Sequence, residues 1–327
     1  MNRTVVTASL AAGIVAGAAA SAAAILRQRE QLVAGLVPPG HFHDVDGERI
    51  HCIDQGSGPA VVLIHGLGGS TFSWREAIPA LAVDHRVLAV DLPGFGFSER
   101  MPVWPLSLEQ HARRVARLMD ELGIGRATVI GHSMGGSIAA RLAAAFPTRV
   151  ERLVLVASVD PGAGSWMPGM LAGRPALAAG QIALAIPSLV RLAAKRALRT
   201  AVADPSFLDA GTIRGYSEPL LLPGTAACLS RLMQDSRVDR PVDLAGLAVP
   251  TLVVSGELDP AIPPVVGEEI ANAVPGARHL VVPGVGHLVP EEQPAVFVDH
   301  LRQFLAEGAQ QAGRRGRKKA AAATIPE

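Results

Sequence analysis

Short, uninterrupted apolar runs recur along the chain. They are AVVLIHG (Ala60–Gly66), RVLAVD (Arg86–Asp91), ATVIGHS (Ala127–Ser133), RLVLVAS (Arg152–Ser158), TLVVSGELD (Thr251–Asp259) and HLVVP (His279–Pro283). Such runs predict strands covered on both faces of a sheet. Ahead of them, His41–Val45 and Glu48–Asp54 flank Asp46-Gly47, which predicts a hairpin. Between the runs the period changes. From Ser107 to Gly123 the apolar positions Val115, Leu118, Met119 and Leu122 follow helical spacing. Ser107, with Gln110 three residues on, marks the start of that helix, and Gly123 marks its stop. Strands alternating with helices predict an α/β fold: a mostly parallel central sheet with helices on both faces.

One interval breaks the rhythm. Between Ser158 and Thr251 there is no buried-strand run, only proline-punctuated helical stretches such as PALAAGQIALAIPSLVRLAAKRAL. This is too long for a loop, so a helical cap over 159–240 is expected, inserted between two parts of a core at 41–158 and 241–306. Residues 1–40 form a hydrophobic segment and a linker, and 307–327 a basic tail.

The ends of the chain differ from its body. Val5 to Leu26 carries no charge, and at about 1.5 Å per residue it is long enough to cross a bilayer. An uncleaved membrane anchor over residues 5–26 is the first expectation. Export after signal cleavage near Ala18–Ala24 is the alternative, because A-x-A sites occur there. The net charge of +1 hides the basic cluster Arg314, Arg315, Arg317, Lys318 and Lys319, without which the body is slightly acidic. A body of that sign is not a nucleic-acid-binding surface. The tail reads as a solvated extension or as a contact for anionic lipid. Two distant cysteines, Cys52 and Cys228, make no disulfide framework and have no neighbours at metal-ligand spacing, so both are expected to be buried thiols. No metal or cofactor is called for. Gly66-Leu67-Gly68 begins like a dinucleotide fingerprint, but Thr71 stands where its third glycine belongs.

Candidate chemistry centres on Gly131-His132-Ser133-Met134-Gly135. A serine between a strand and a helix, with a glycine two positions to either side, suits a sharp turn that lifts its hydroxyl above the sheet. A nucleophilic serine needs a base, and the base needs an orienting acid. His287 follows the last strand in a loop. His279 and His300 are its rivals, one in a strand and the other in a helix. Asp259 ends a core strand, with Asp160 and Glu257 as competing acids. Backbone N–H groups of Leu67 and Met134 are the expected oxyanion donors, while the Met134 side chain is either pocket wall or core.

With HGLGG (65–69), DLPGFGFS (91–98), GHSMGG (131–136), GELDPAIP (256–263) and VGHLVPEEQP (285–294), the chain resembles the α/β-hydrolase fold superfamily, in its capped serine-hydrolase branch, from about Phe42 to Leu305. The resemblance implies a cofactor-free hydrolase of esterase or lipase type. Haloalkane dehalogenases and most epoxide hydrolases of this superfamily carry an aspartate at the elbow, so Ser133 argues against both. Cleavage of an apolar small-molecule ester is the leading expectation. Carbon–carbon bond hydrolysis and perhydrolase chemistry are alternatives on the same residues, and a non-catalytic binding role is a third.

Overall fold

The computed structural model describes residues 21–163 and 184–307. Eight strands form one sheet in the order β1-β2-β4-β3-β5-β6-β7-β8. They are β1 (His41–Val45), β2 (Glu48–Gln55), β3 (Ala60–Ile64), β4 (Arg86–Val90), β5 (Ala127–His132), β6 (Val150–Val156), β7 (Thr251–Gly256) and β8 (Arg278–Val282). β1 and β2 pair antiparallel through a turn in which Asp46 and Gly47 both have positive φ, 55° and 81°, the geometry a two-residue hairpin requires. β2 also meets β4 antiparallel; every other pairing is parallel.

The sheet is apolar on both faces because it is covered on both. In β3, Val62 and Ile64 join one core cluster, while Val61 and Leu63 join the other. Against the first face lie α2 (Leu108–Glu121), α3 (Met134–Ala145) and α7 (Pro264–Ala273). Against the second lie α1 (Ala77–Leu81) and α8 (294–307), through Trp74, Ile78, Phe297 and Phe304. Each fully buried aliphatic side chain contributes about 1.5–3 kcal/mol, so this two-sided burial is what holds the strand ends in place. Ser107 caps α2 by accepting from the Gln110 N–H at 3.3 Å, and Gly123 ends it at φ 66°. Cys52 and Cys228 are free and buried, and burial pushes the Cys52 thiol up to about 12.

Between β6 and β7 the described residues form α4 (Pro187–Ala201), α5 (Ala210–Ser217) and α6 (Thr225–Asp235), with no strand among them. Part of the expected cap, 164–183, lies outside the described residues. So do residues 1–20, which hold most of the expected anchor, and the basic tail from 308 on. Helical backbone runs over 21–34 and continues past Leu26, because Arg27 to Leu32 are good helix formers and nothing breaks the helix before Gly35 and the Pro38-Pro39 pair. Among the described residues no helix is long and apolar enough to cross a membrane.

Candidate active site

β5 ends and α3 begins on either side of Ser133, which has φ 53° and ψ −119°. A non-glycine residue there stores about 1–3 kcal/mol of strain, so its surroundings must enforce it. Close packing does so. A Cβ on Gly131 would lie 2.1 Å from the Gly135 carbonyl oxygen, and one on Gly135 would lie 2.3 Å from that of Ile64. The Ser133 N–H donates to the Val156 carbonyl at 2.9 Å, and its own carbonyl accepts from Gly136 at 3.0 Å and Val159 at 3.2 Å.

His287 stands in the loop after β8. Its Nδ1–H donates to Oδ2 of Asp259 at 2.7 Å. Asp259 is buried, and its other oxygen accepts from the N–H groups of Ala261 and Ile262 at 2.8 and 2.9 Å. The carboxylate is thus fixed by its own turn before it meets the imidazole. The rival acids are engaged elsewhere: Asp160 accepts from the Gly162 N–H at 2.7 Å, and Glu257 from the Gly284 N–H at 2.8 Å. The rival His279 is hydrogen-bonded to Ser255 at 2.9 Å, and His300 lies within α8.

Ser133 and His287 line one cavity of about 230 Å³, together with Gly66, Leu67 and Gly68. Its remaining walls are largely apolar: Ala194, Ala197, Leu198 and Ala201 of α4, with Leu220 and Leu288. The Met134 side chain is fully buried and belongs to the core. As the first residue of α3, Met134 has no intrahelical partner for its N–H.

His65 explains how the Leu67 amide is presented. Leu92 N–H donates to His65 Nε2 at 3.1 Å, so the proton sits on Nδ1, which donates to the Gly66 carbonyl at 2.8 Å. Gly69 N–H donates to the same carbonyl at 3.1 Å. In a trans peptide the carbonyl and the next N–H point in opposite directions, so holding Gly66 C=O turns the Leu67 N–H the other way. Burial lowers the pKa of His65 and keeps this ring neutral. The sequence showed His65 only as the first letter of HGLGG.

Two further residues hold the His287 loop, and neither was singled out from sequence. Glu292 Oε1 accepts from Gly286 at 3.0 Å and Leu288 at 3.2 Å, on either side of His287, while its Oε2 accepts from Ala203 at 2.7 Å. His287 N–H donates to Ala201 at 2.7 Å, so the loop is fastened to the end of α4. His132 donates from Nε2 to the His287 carbonyl at 2.8 Å. The glutamate in PEEQP was visible as a charge near the base, but nothing in its spacing pointed to these amides.

A polar clasp closes one side of the cavity. The Tyr216 hydroxyl, on α5, donates to Glu291, which also pairs with Arg75. Ser73 lies 3.2 Å from the Tyr216 oxygen, and Ser73 and Tyr216 both line the cavity. Burial raises the pKa of Glu291 and, well above its ordinary value, that of Tyr216, so the phenol stays a donor.

Known proteins share this architecture. Residues 59–294 match the alpha/beta hydrolase fold family. A pimeloyl-[acyl-carrier protein] methyl ester esterase of Aeromonas hydrophila is 30% identical over 76% of this chain and 94% of its own length. The meta-cleavage product hydrolase CumD of Pseudomonas fluorescens IP01 superposes with a TM-score of 0.68 at 25% identity, over 82% of this chain and 98% of that one. A membrane phospholipase A gives 0.67 at 26% identity, over 94% of this chain and 99% of that one. A strained serine between tightly packed glycines, at the end of a parallel strand in such a sheet, accords with these likenesses: the chain belongs to the alpha/beta hydrolase fold family and is a hydrolase.

Proposed function

We propose that this hydrolase is a serine esterase that cleaves carboxylic esters of apolar small molecules through an acyl-enzyme. The observation that carries the reading is the His287–Asp259 pair at 2.7 Å, in which His287 lines the same cavity as the strained Ser133. With Nδ1–H committed to Asp259, the Nε2 lone pair is left to take the Ser133 proton as the hydroxyl attacks the acyl carbon. The N–H groups of Leu67 and Met134 receive the charge that develops on the carbonyl oxygen. The alkoxide leaves with the proton from His287. A water deprotonated by the same imidazole then attacks the acyl-enzyme, freeing the acid and restoring Ser133. Asp259 keeps the imidazole in this tautomer throughout.

The cavity walls suit an apolar acyl or alcohol group, and the likeness to a methyl ester esterase supports ester cleavage. The charge-free run Val5–Leu26 supports attachment to a membrane. So does a likeness to a membrane phospholipase A that covers 94% of the chain. Carbon–carbon bond hydrolysis is the second reading, favoured by the likeness to a meta-cleavage product hydrolase.

Purified protein should hydrolyse p-nitrophenyl butyrate and be labelled by a fluorophosphonate, and Ser133→Ala should do neither. Labelling that survives in Ser133→Ala removes Ser133 from the mechanism. Turnover of a ring-cleavage dienoate with no ester turnover would favour the second reading.

A further inference from the structure

The roof of the cavity has two faces of opposite character. On α4, Ala194, Ala197, Leu198 and Ala201 face the cavity. A residue turns about 100° along an α-helix, so Leu189, Leu192, Lys195, Arg196 and Arg199 fall on the opposite side. That outer side is exposed, with Leu189 at 43% and Leu192 at 44%. The helix carries Arg191, Lys195, Arg196 and Arg199 and no acidic residue. Arg191 pairs with Glu218 at 3.6 Å, whereas Lys195, Arg196 and Arg199 have no ion-pair partner among the described residues.

The Arg191–Glu218 pair joins α4 to the turn Pro219–Leu221, and Leu220 of that turn also lines the cavity. The same turn receives the N-terminal helix, because Arg29 Nε donates to the Leu221 carbonyl at 2.8 Å. The charge-free run ends at Leu26, three residues earlier, a rise of about 4.5 Å along a helix. If that run lies in a bilayer, the Leu221 turn stands at head-group level with α4 beside it.

We infer that the outer face of α4 rests on anionic phospholipid, with Leu189 and Leu192 entering the acyl boundary and Lys195, Arg196 and Arg199 meeting head-group phosphates. This rests on the membrane attachment proposed above and names the lipid partner of the cavity roof. Two leucines amid cations, without an acid, are the composition of a helix face that lies in a lipid interface. An ester held in the membrane then reaches Ser133 past the edge of α4 without crossing bulk water.

The full-length protein is tested in vesicles of phosphatidylcholine, alone or mixed with phosphatidylglycerol. A fluorophore is placed at Leu192→Cys, the native cysteines being buried, or at Val83→Cys, which is 78% exposed in a loop of the core. Doxyl-labelled lipid should quench the probe at 192 severalfold more than the probe at 83, chiefly in the anionic vesicles. Arg196→Glu with Arg199→Glu should abolish that difference. The double variant should keep its rate on soluble p-nitrophenyl butyrate and lose at least about tenfold on a vesicle-embedded ester, since two attractive charges at the anionic surface become repulsive. Protein that does not float with either vesicle overturns the attachment and the surface together. Protein that floats, with the probe at 192 quenched no more than that at 83, overturns the surface alone. Quenching is read without turnover, so a failure of the esterase reading leaves the test intact.

Discussion

His132, the neighbour of the candidate nucleophile, holds the backbone of the candidate base: its Nε2–H donates to the His287 carbonyl at 2.8 Å, with ring centroids 4.9 Å apart. Burial, reinforced by His287, pushes the pKa of His132 down to about 3. It therefore stays neutral, so in the proposed mechanism it adds no second cation beside the candidate base. Serine and base are thus tied through adjacent residues of one strand end.

The first prediction concerns that tie. His132→Ala should lower kcat about 10–100-fold, equivalent to roughly 1.4–2.7 kcal/mol, with KM little changed. His132→Gln, which keeps a donor, should recover part of the loss. Because His132 is neutral across the working range, the acidic limb of the kcat profile should stay in place in both variants. A limb that moves in His132→Gln would show that His132 titrates during turnover.

The carboxylates can be ranked. Asp259→Asn should lower kcat by about 10⁴, because the amide favours the wrong imidazole tautomer. Asp160→Asn and Glu257→Gln should remain within about tenfold of wild type, since those side chains serve the Gly162 and Gly284 amides. Steady-state kinetics, with thermal unfolding as a check on folding, decides the order. A crippled Asp160→Asn beside an active Asp259→Asn would reassign the acid.

Asp91 should matter for stability rather than turnover. Fully buried, it accepts from Thr71 N–H at 2.6 Å, Phe97 N–H at 2.7 Å and His51 Nδ1 at 2.7 Å, joining two loops above the sheet. Burial acts to raise its pKa, but the hydrogen bond and charge interaction with His51, joined by His65 and the Phe97 N–H, together outweigh it and the net shift is downward. A depressed folded-state pKa stabilises the protein above the unfolded carboxylate value, about 3.9, and that contribution is lost as pH falls through the folded value. Asp91→Asn should cost about 3–5 kcal/mol near neutrality in urea unfolding. It should also lose less stability than wild type on acidification below about pH 4. Parallel acid limbs would show that Asp91 is not the group responsible.

The clasp between cap and core is also testable. Tyr216→Phe leaves Glu291 with one donor fewer in a buried setting, which should cost about 1–3 kcal/mol. Because Tyr216 lines the cavity, KM for p-nitrophenyl butyrate should rise while the rate of fluorophosphonate labelling at Ser133 changes little. Equal loss in both assays would place Tyr216 nearer the chemistry than its contacts indicate.

The strand runs, the Asp46-Gly47 turn, the Ser107 cap and the Ser133 elbow were all legible in the sequence, because each is specified over a few residues. Two-sided burial leaves an unbroken apolar run, positive φ calls for Asp-Gly, and a sharp strand-to-helix turn calls for glycine at 131 and 135. The pairing of His287 with Asp259, 28 residues apart, was readable as an expectation because a strand end and a loop at the same edge leave few candidates. The supporting contacts were not legible. His132 reaches a carbonyl 155 residues away, Glu292 an amide 89 residues back and Arg29 a carbonyl 192 residues on. In each of these the distant partner is a main-chain group, which every residue possesses, so no side-chain pattern marks which one will be met. Only the stacking of helices on the sheet brings a given carbonyl or N–H within reach, and that choice belongs to the tertiary structure.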